Sequence, residues 1–152
     1  GTETTLRIMI EFTQDQLNRI QEIAAREYPH ECCGVLIGRT QGQRKSVTDL
    51  RVAENERYDS LRNRYLIDAG VIYRIESELL GTGQAIIGFF HSHPDAPARP
   101  SLYDQEHAWP WYSYLIVSVI QGNPSDTRVW QLKEDRSGFT EEAFEVSTVE
   151  VN

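Results

Sequence analysis

Ala85-Ile86-Ile87-Gly88-Phe89-Phe90-His91-Ser92-His93-Pro94 decides how the rest of the sequence is read. Its first six residues are apolar at both alternating sets of positions, the pattern of a central strand covered on both faces. If the strand runs on through His93, residues two apart share a face, so His91 and His93 present two imidazoles to one point. A loop punctuated by Pro94, Pro97 and Pro100 follows. Ser101 then opens a short helix that Pro110 must end, and Asp104 falls in its first turn, where its carboxylate can swing toward the strand end.

Reading upstream, Asp68 caps a helix whose Val71, Ile72, Ile75 and Leu79 form an apolar stripe ending at Gly81. Residues 65–67 form a short strand candidate, and the charged, aperiodic stretch 53–63 reads as a surface loop. Residues 33–37 read as a buried strand, with turn residues over 38–43 leading into a more polar strand at 46–52, a hairpin. Residues 6–12 are an opening strand. Thr13 and Gln16 then have capping-box spacing, and Leu17, Ile20, Ile23 and Ala24 line one face of a helix that Pro29 ends. Downstream come a strand at 114–120, turn chemistry at 121–126, a strand at 127–133 and one last, weaker strand at 139–146. Strands and helices are interspersed, which gives an α/β chain with a mixed sheet and a helix on each side.

Length and charge narrow the possibilities further. At 152 residues one domain over 1–152 is the expectation. Leu, Ile, Val and Phe number 38, a quarter of the chain and enough for a core, so any metal is expected to do chemistry rather than hold the fold. The net charge of −8 argues against nucleic acid or an anionic membrane as the main partner. The apolar runs are too short to span a bilayer. Gly1-Thr2-Glu3-Thr4-Thr5 is unlike a secretory leader and reads as a cloning remnant or unstructured lead. The two cysteines, Cys32 and Cys33, are adjacent, unsuited to a loop-closing disulfide, and read as small buried hydrophobes in a reducing, cytoplasmic compartment.

Two imidazoles and a carboxylate suit zinc and leave a fourth tetrahedral position open for water, the mark of a catalytic site. Water on zinc still needs a base to take its proton and pass it to the leaving amine. Glu31 is the candidate, because it follows a helix end and directly precedes a buried strand that can lie beside the His91 strand. Ser101 can donate a hydrogen bond to the oxyanion formed at the attacked carbonyl.

Glu31 with Cys33-Gly34, then His91-x-His93-Pro94, six residues, Ser101, two residues and Asp104 resembles the signature of the JAMM (MPN+) zinc metalloprotease family. The likeness extends to the Pro-x-Glu-x-Cys-Gly passage, to Tyr65-x-Ile67-Asp68 and to the strand after Asp104, and is least constrained after Arg136. It implies a mixed, curved β-sheet with flanking helices (MPN/JAB, cytidine-deaminase-like). It also implies one catalytic zinc on His91, His93 and Asp104, with Glu31 as general base and Ser101 assisting. The implied substrate is a peptide or isopeptide bond at the C-terminus of a ubiquitin-like protein. With little spare length for insertions, the chain resembles the compact prokaryotic branch that processes sulfur-carrier and ubiquitin-like β-grasp proteins ending in Gly-Gly, in pathways with an E1-like adenylating enzyme. A Gly-Gly tail laid along a strand edge near the metal is the expected mode of binding.

Plainer readings accompany these. Ser101-x-x-Asp104 is also an ordinary capping box. His30 and His107 read as surface residues, Trp109, Trp111 and Tyr112 as packing around Pro110, and Glu141, Glu142 and Glu145 as one solvated strand face. Two alternatives stand beside the hydrolase. One is a non-catalytic MPN scaffold, although no zinc residue is missing. The other is a RadC-like DNA-associated protein, whose usual Ser-Gly after His-Pro is here Asp95-Ala96. A zinc deaminase lacks its Pro-Cys-x-x-Cys pair.

Overall fold

The computed structural model describes residues 9–53 and 67–148. Strands β1 (Met9–Thr13), β2 (Cys33–Gln41), β3 (Arg44–Ala53), β4 (Ala85–Pro94), β5 (Ser113–Ile120), β6 (Asn123–Leu132), β7 (Phe139–Glu142) and β8 (Phe144–Ser147) form one sheet. Their order is β7-β6-β5-β4-β2-β3-β1-β8. The helices are α1 (Gln14–Glu27), α2 (Ala69–Leu79) and α3 (Leu102–His107). No described helix is long and apolar enough to cross a membrane. The expected lead 1–5, residues 6–8 of the opening strand, loop residues 54–63 and positions 65–66 lie outside the described residues. Ala53 is the last residue of β3, and Ile67 is not in a strand.

The connection between β7 and β8 determines the overall shape. β7 pairs with β6 at one edge of the sheet and β8 pairs with β1 at the other, yet Ala143 alone joins them. Two Cα steps span at most about 7 Å, so the two edges meet there and the sheet curls into a near-barrel. The single strand expected over 139–146 is therefore corrected to two strands. Glu142 is buried, Ala143 exposed and Phe144 half-buried. Alternation thus runs unbroken through the crossing and conceals it.

α1 lies within the curl. Its Leu17, Ile20, Ile23 and Ala24 share one core with residues from β1 to β6, among them Ile10, Phe90, Leu115 and Val129. The helix starts where expected, with Thr13 Oγ1 accepting from Gln16 N at 3.0 Å and Gln16 Oε1 accepting from Thr13 N at 2.8 Å. α2, capped by Asp68, packs Ile75 and Leu79 on the opposite face against Val35, Ile37, Ile86 and Phe89. Both hairpin turns are shorter than the sequence suggests. β2 runs to Gln41, leaving Gly42 and Gln43 as the turn, and β6 begins at Asn123 after Gln121 and Gly122, whose φ values are 49° and 85°. Two consecutive left-handed residues match the strand twist, so the remaining turn-prone residues are freed to enter the strands.

One end of the curl holds a buried charged pair. Lys45 is 2% exposed; its Nζ donates to Ser113 Oγ at 2.9 Å and to the Trp111 carbonyl, beneath the Trp111 ring. Ser113 Oγ in turn lies 2.8 Å from Glu142 Oε1. Glu142 thus leaves the solvated face expected for it, while Glu141 and Glu145 stay on the exterior. Burial pushes Glu142 up to about 7 and Lys45 down to about 8. The Glu142 contribution to stability is present below its ordinary 4.5 and is lost as pH rises through 7. The Lys45 contribution is present above 10.5 and is lost as pH falls through 8. The destabilisation by this pair is therefore expected to be greatest near pH 7–8. In urea unfolding the Lys45→Met/Glu142→Leu double variant is expected to gain about 1–4 kcal/mol over wild type there and less on either side. A difference between the two proteins that does not change with pH would contradict this account.

Candidate metal centre

β4 emerges from the middle of the sheet between antiparallel β2 and parallel β5, and its crossover to β5 carries α3. Strand alternation puts His91 and His93 on the outer face with Phe89, while Phe90 and Ser92 point inward. The ring nitrogens His91 Nε2 and His93 Nε2 lie 3.1 Å apart. Asp104 Oδ2 lies 3.4 Å from the first and 3.2 Å from the second. These are the edges of one face of a tetrahedron. Ligands about 2.0–2.1 Å from a zinc ion stand about 3.3–3.4 Å from one another, so this donor set fits the ion. Among the described residues this is the one group of three or more His, Cys, Asp or Glu side chains close enough to share a metal.

Burial holds the His91 imidazole below its ordinary value. Burial works against ionisation of Asp104, but the facing imidazoles and the Ser101 N–H outweigh it and hold the carboxyl below the usual carboxylate range. His93 Nδ1 lies 2.9 Å from the Pro97 carbonyl. A carbonyl can only accept, so Nδ1 carries a proton, which in the neutral ring leaves the lone pair on Nε2.

The loop that makes this bond is held along its length. The carbonyls of Ala96, Pro97 and Ala98 accept in turn from Ser118 Oγ at 2.6 Å, His93 Nδ1 at 2.9 Å and Trp130 Nε1 at 2.9 Å. Asp95, at φ 55°, accepts from Tyr28 Oη at 2.6 Å and Gln121 N at 2.8 Å. The clamps from Tyr28, Ser118, Gln121 and Trp130 have no local sequence signal, because these partners are 22 or more positions away. Ser101 Oγ accepts from Asp104 N at 3.1 Å, and Ser101 N donates to Asp104 Oδ2 at 2.8 Å. The capping box is thus formed by the same carboxylate oxygen that faces the imidazoles.

Glu31 is buried at the entrance to β2. Cys33 pairs with His91, and Ser92 N donates to Cys32 O at 3.1 Å. Continuing that register brings Glu31 opposite His93, on the same outer face. Gly34 makes the approach of these strands possible: a Cβ there would stand 2.1 Å from Phe90 Cζ and 2.4 Å from Arg51 O. Cys32 and Cys33 are free and buried, and burial raises their thiols to about 11 and about 12, which leaves them unreactive. His30 and His107 are exposed.

A cavity of about 620 Å³ extends from Asp104 over Phe89 and Tyr114 to Trp109 and Arg136. Trp109 is 63% exposed, which corrects the packing expected for it, whereas Trp111 lies edge-on to Tyr112 and over Lys45. Trp109 N donates to Tyr114 Oη at 2.8 Å.

The family described as prokaryotic homologs of the JAB domain matches residues 13–133. A desampylase from Haloferax volcanii is 33% identical over 118 residues, 77% of this chain and 83% of that protein. A CysO-cysteine peptidase from Mycobacterium tuberculosis is 26% identical over 133 residues, 87% of each. In three dimensions a JAB1/MPN domain protein from Archaeoglobus fulgidus superposes with a TM-score of 0.58 at 19% identity, over 90% of this chain and 98% of that one.

Proposed function

Because this chain belongs to the prokaryotic homologues of the JAB domain and is a metallopeptidase or isopeptidase, we propose that it uses one zinc ion to hydrolyse the bond that follows the C-terminal Gly-Gly of a ubiquitin-like or sulfur-carrier protein. The observation that carries the zinc assignment is the triangle of His91 Nε2, His93 Nε2 and Asp104 Oδ2 with edges of 3.1, 3.2 and 3.4 Å. Those three side chains would hold the ion. When bound, zinc supplies Lewis acidity, polarising a scissile carbonyl and making water a stronger acid.

The remaining work belongs to the chain. Glu31 takes the proton from the attacking water and returns it to the departing amine, so that the amine leaves neutral. Ser101 donates its hydroxyl hydrogen to the oxygen on which charge develops, while its backbone N–H keeps Asp104 ionised. The cavity running from Asp104 toward Trp109 receives the chain flanking the scissile bond. β4 already has β2 and β5 on its two edges, so a bound tail crosses the sheet face rather than extending β4.

The test is a zinc-loaded preparation incubated with a β-grasp carrier whose Gly-Gly is followed by a short extension, the products being weighed by mass spectrometry. A carrier ending at Gly-Gly is the expected product, and exchange of the penultimate Gly for Phe is expected to slow its release at least about 100-fold, since a side chain cannot follow a path shaped for bare backbone. Equal cleavage of the two carriers, or of neither, would overturn the assignment.

A further inference from the structure

We propose that Arg136, on the turn between β6 and β7, is a positioning residue for Asp104 and so sets how tightly the centre holds zinc; this rests on the ligand set given above. α3 has only six residues, too few to be stable unaided. Packing does little to hold it, since within the helix only Asp104 is buried and Leu102 at its start is 71% exposed. Polar ties must therefore fix it at both ends. The capping box serves the N-terminal end.

At the C-terminal end the ties converge on one residue. Arg136 Nη2 donates to the carbonyls of Gln105 and Glu106 at 3.4 Å each, and Gln105 Nε2 donates back to the Arg136 carbonyl at 3.0 Å. These carbonyls belong to the two residues directly after Asp104, and a cation at this end of a helix also opposes its dipole. The guanidinium further lies 5.7 Å from the centre of the Trp109 ring, just beyond the helix. Arg136 takes a left-handed φ of 63°, closed by its N–H donating to Lys133 O at 2.8 Å. A non-glycine residue bears that conformation at a cost, and here the turn it makes aims the side chain back across α3. Metal ligands need support from such outer partners, whose loss weakens binding about 10–100-fold.

Arg136→Gly is the informative variant, because glycine accepts the turn conformation without strain and removes only the side chain. Zinc affinity is read by competition with a chromophoric chelator, alongside the melting temperature of the zinc-free protein. A zinc Kd weakened about 10–100-fold, with zinc-free melting little changed, is expected for Arg136→Gly. Arg136→Lys, which keeps the charge but not the fork, is expected to recover part of the affinity. Should Arg136→Gly melt the zinc-free domain, Gln105→Ala, which loosens the clamp from the helix side, is expected to weaken zinc binding at least threefold. Wild-type affinity in Arg136→Gly, or in Gln105→Ala when that variant is needed, overturns the proposal while leaving the metal centre intact. Failure of the wild-type protein to bind zinc overturns the centre itself.

Discussion

Glu31→Gln is expected to lower kcat/KM for a Gly-Gly-extended carrier by about 10²–10⁴-fold, the range that a positioned general base contributes. Zinc binding in the same variant is expected to stay at about one ion per chain. The amide keeps the volume of the buried side chain and loses only the ability to accept and return a proton. A structural role for Glu31 would instead appear as lost folding or lost metal. Steady-state kinetics with metal analysis on one preparation separate the two, and a variant with more than about a third of wild-type turnover would remove Glu31 from the mechanism.

Asp104→Asn is expected to abolish both zinc binding and hydrolysis while sparing the fold. The asparagine side-chain oxygen can still accept from Ser101 N–H, so the capping box survives and only the anionic ligand is lost. Ligand binding to the native state alone stabilises it by about 4 kcal/mol at a thousandfold excess over Kd. For a chain of this size that corresponds to a rise in melting temperature of about 8–16 °C. Wild type should show the rise on adding zinc and Asp104→Asn should not. An equal rise in both proteins would mean that the ion sits elsewhere.

What was legible in the sequence follows from the range of the interactions concerned. His91 and His93 were readable as a pair because strand period is two, and Thr13-x-x-Gln16 and Ser101-x-x-Asp104 because caps act over three residues. The two apolar stripes identified α1 and α2 in the same way. Glu31 could be nominated because β2 does lie beside β4. Features built from distant segments left no such trace. The burial of Lys45 depends on Ser113, 68 positions away, and leaves no mark near it in the sequence. Glu142 belongs to an alternating stretch that continues unbroken into β8, so neither its burial nor the break beside it is encoded locally. Pro97 acts through a carbonyl that any residue type could have supplied, and Arg136 through carbonyls of α3 that lie 30 and 31 positions away in the chain.

The one-residue crossing at Ala143 also sets an order of events during synthesis. β1 is translated early, yet its partner on one side is β8, which follows β2 through β7 along the chain. On a ribosome the nascent domain can therefore assemble most of its ladder and enclose α1 while a seam stays open beside β1. Only when residues 144–147 have left the exit tunnel can that seam be closed, so β8 completes what β1 began.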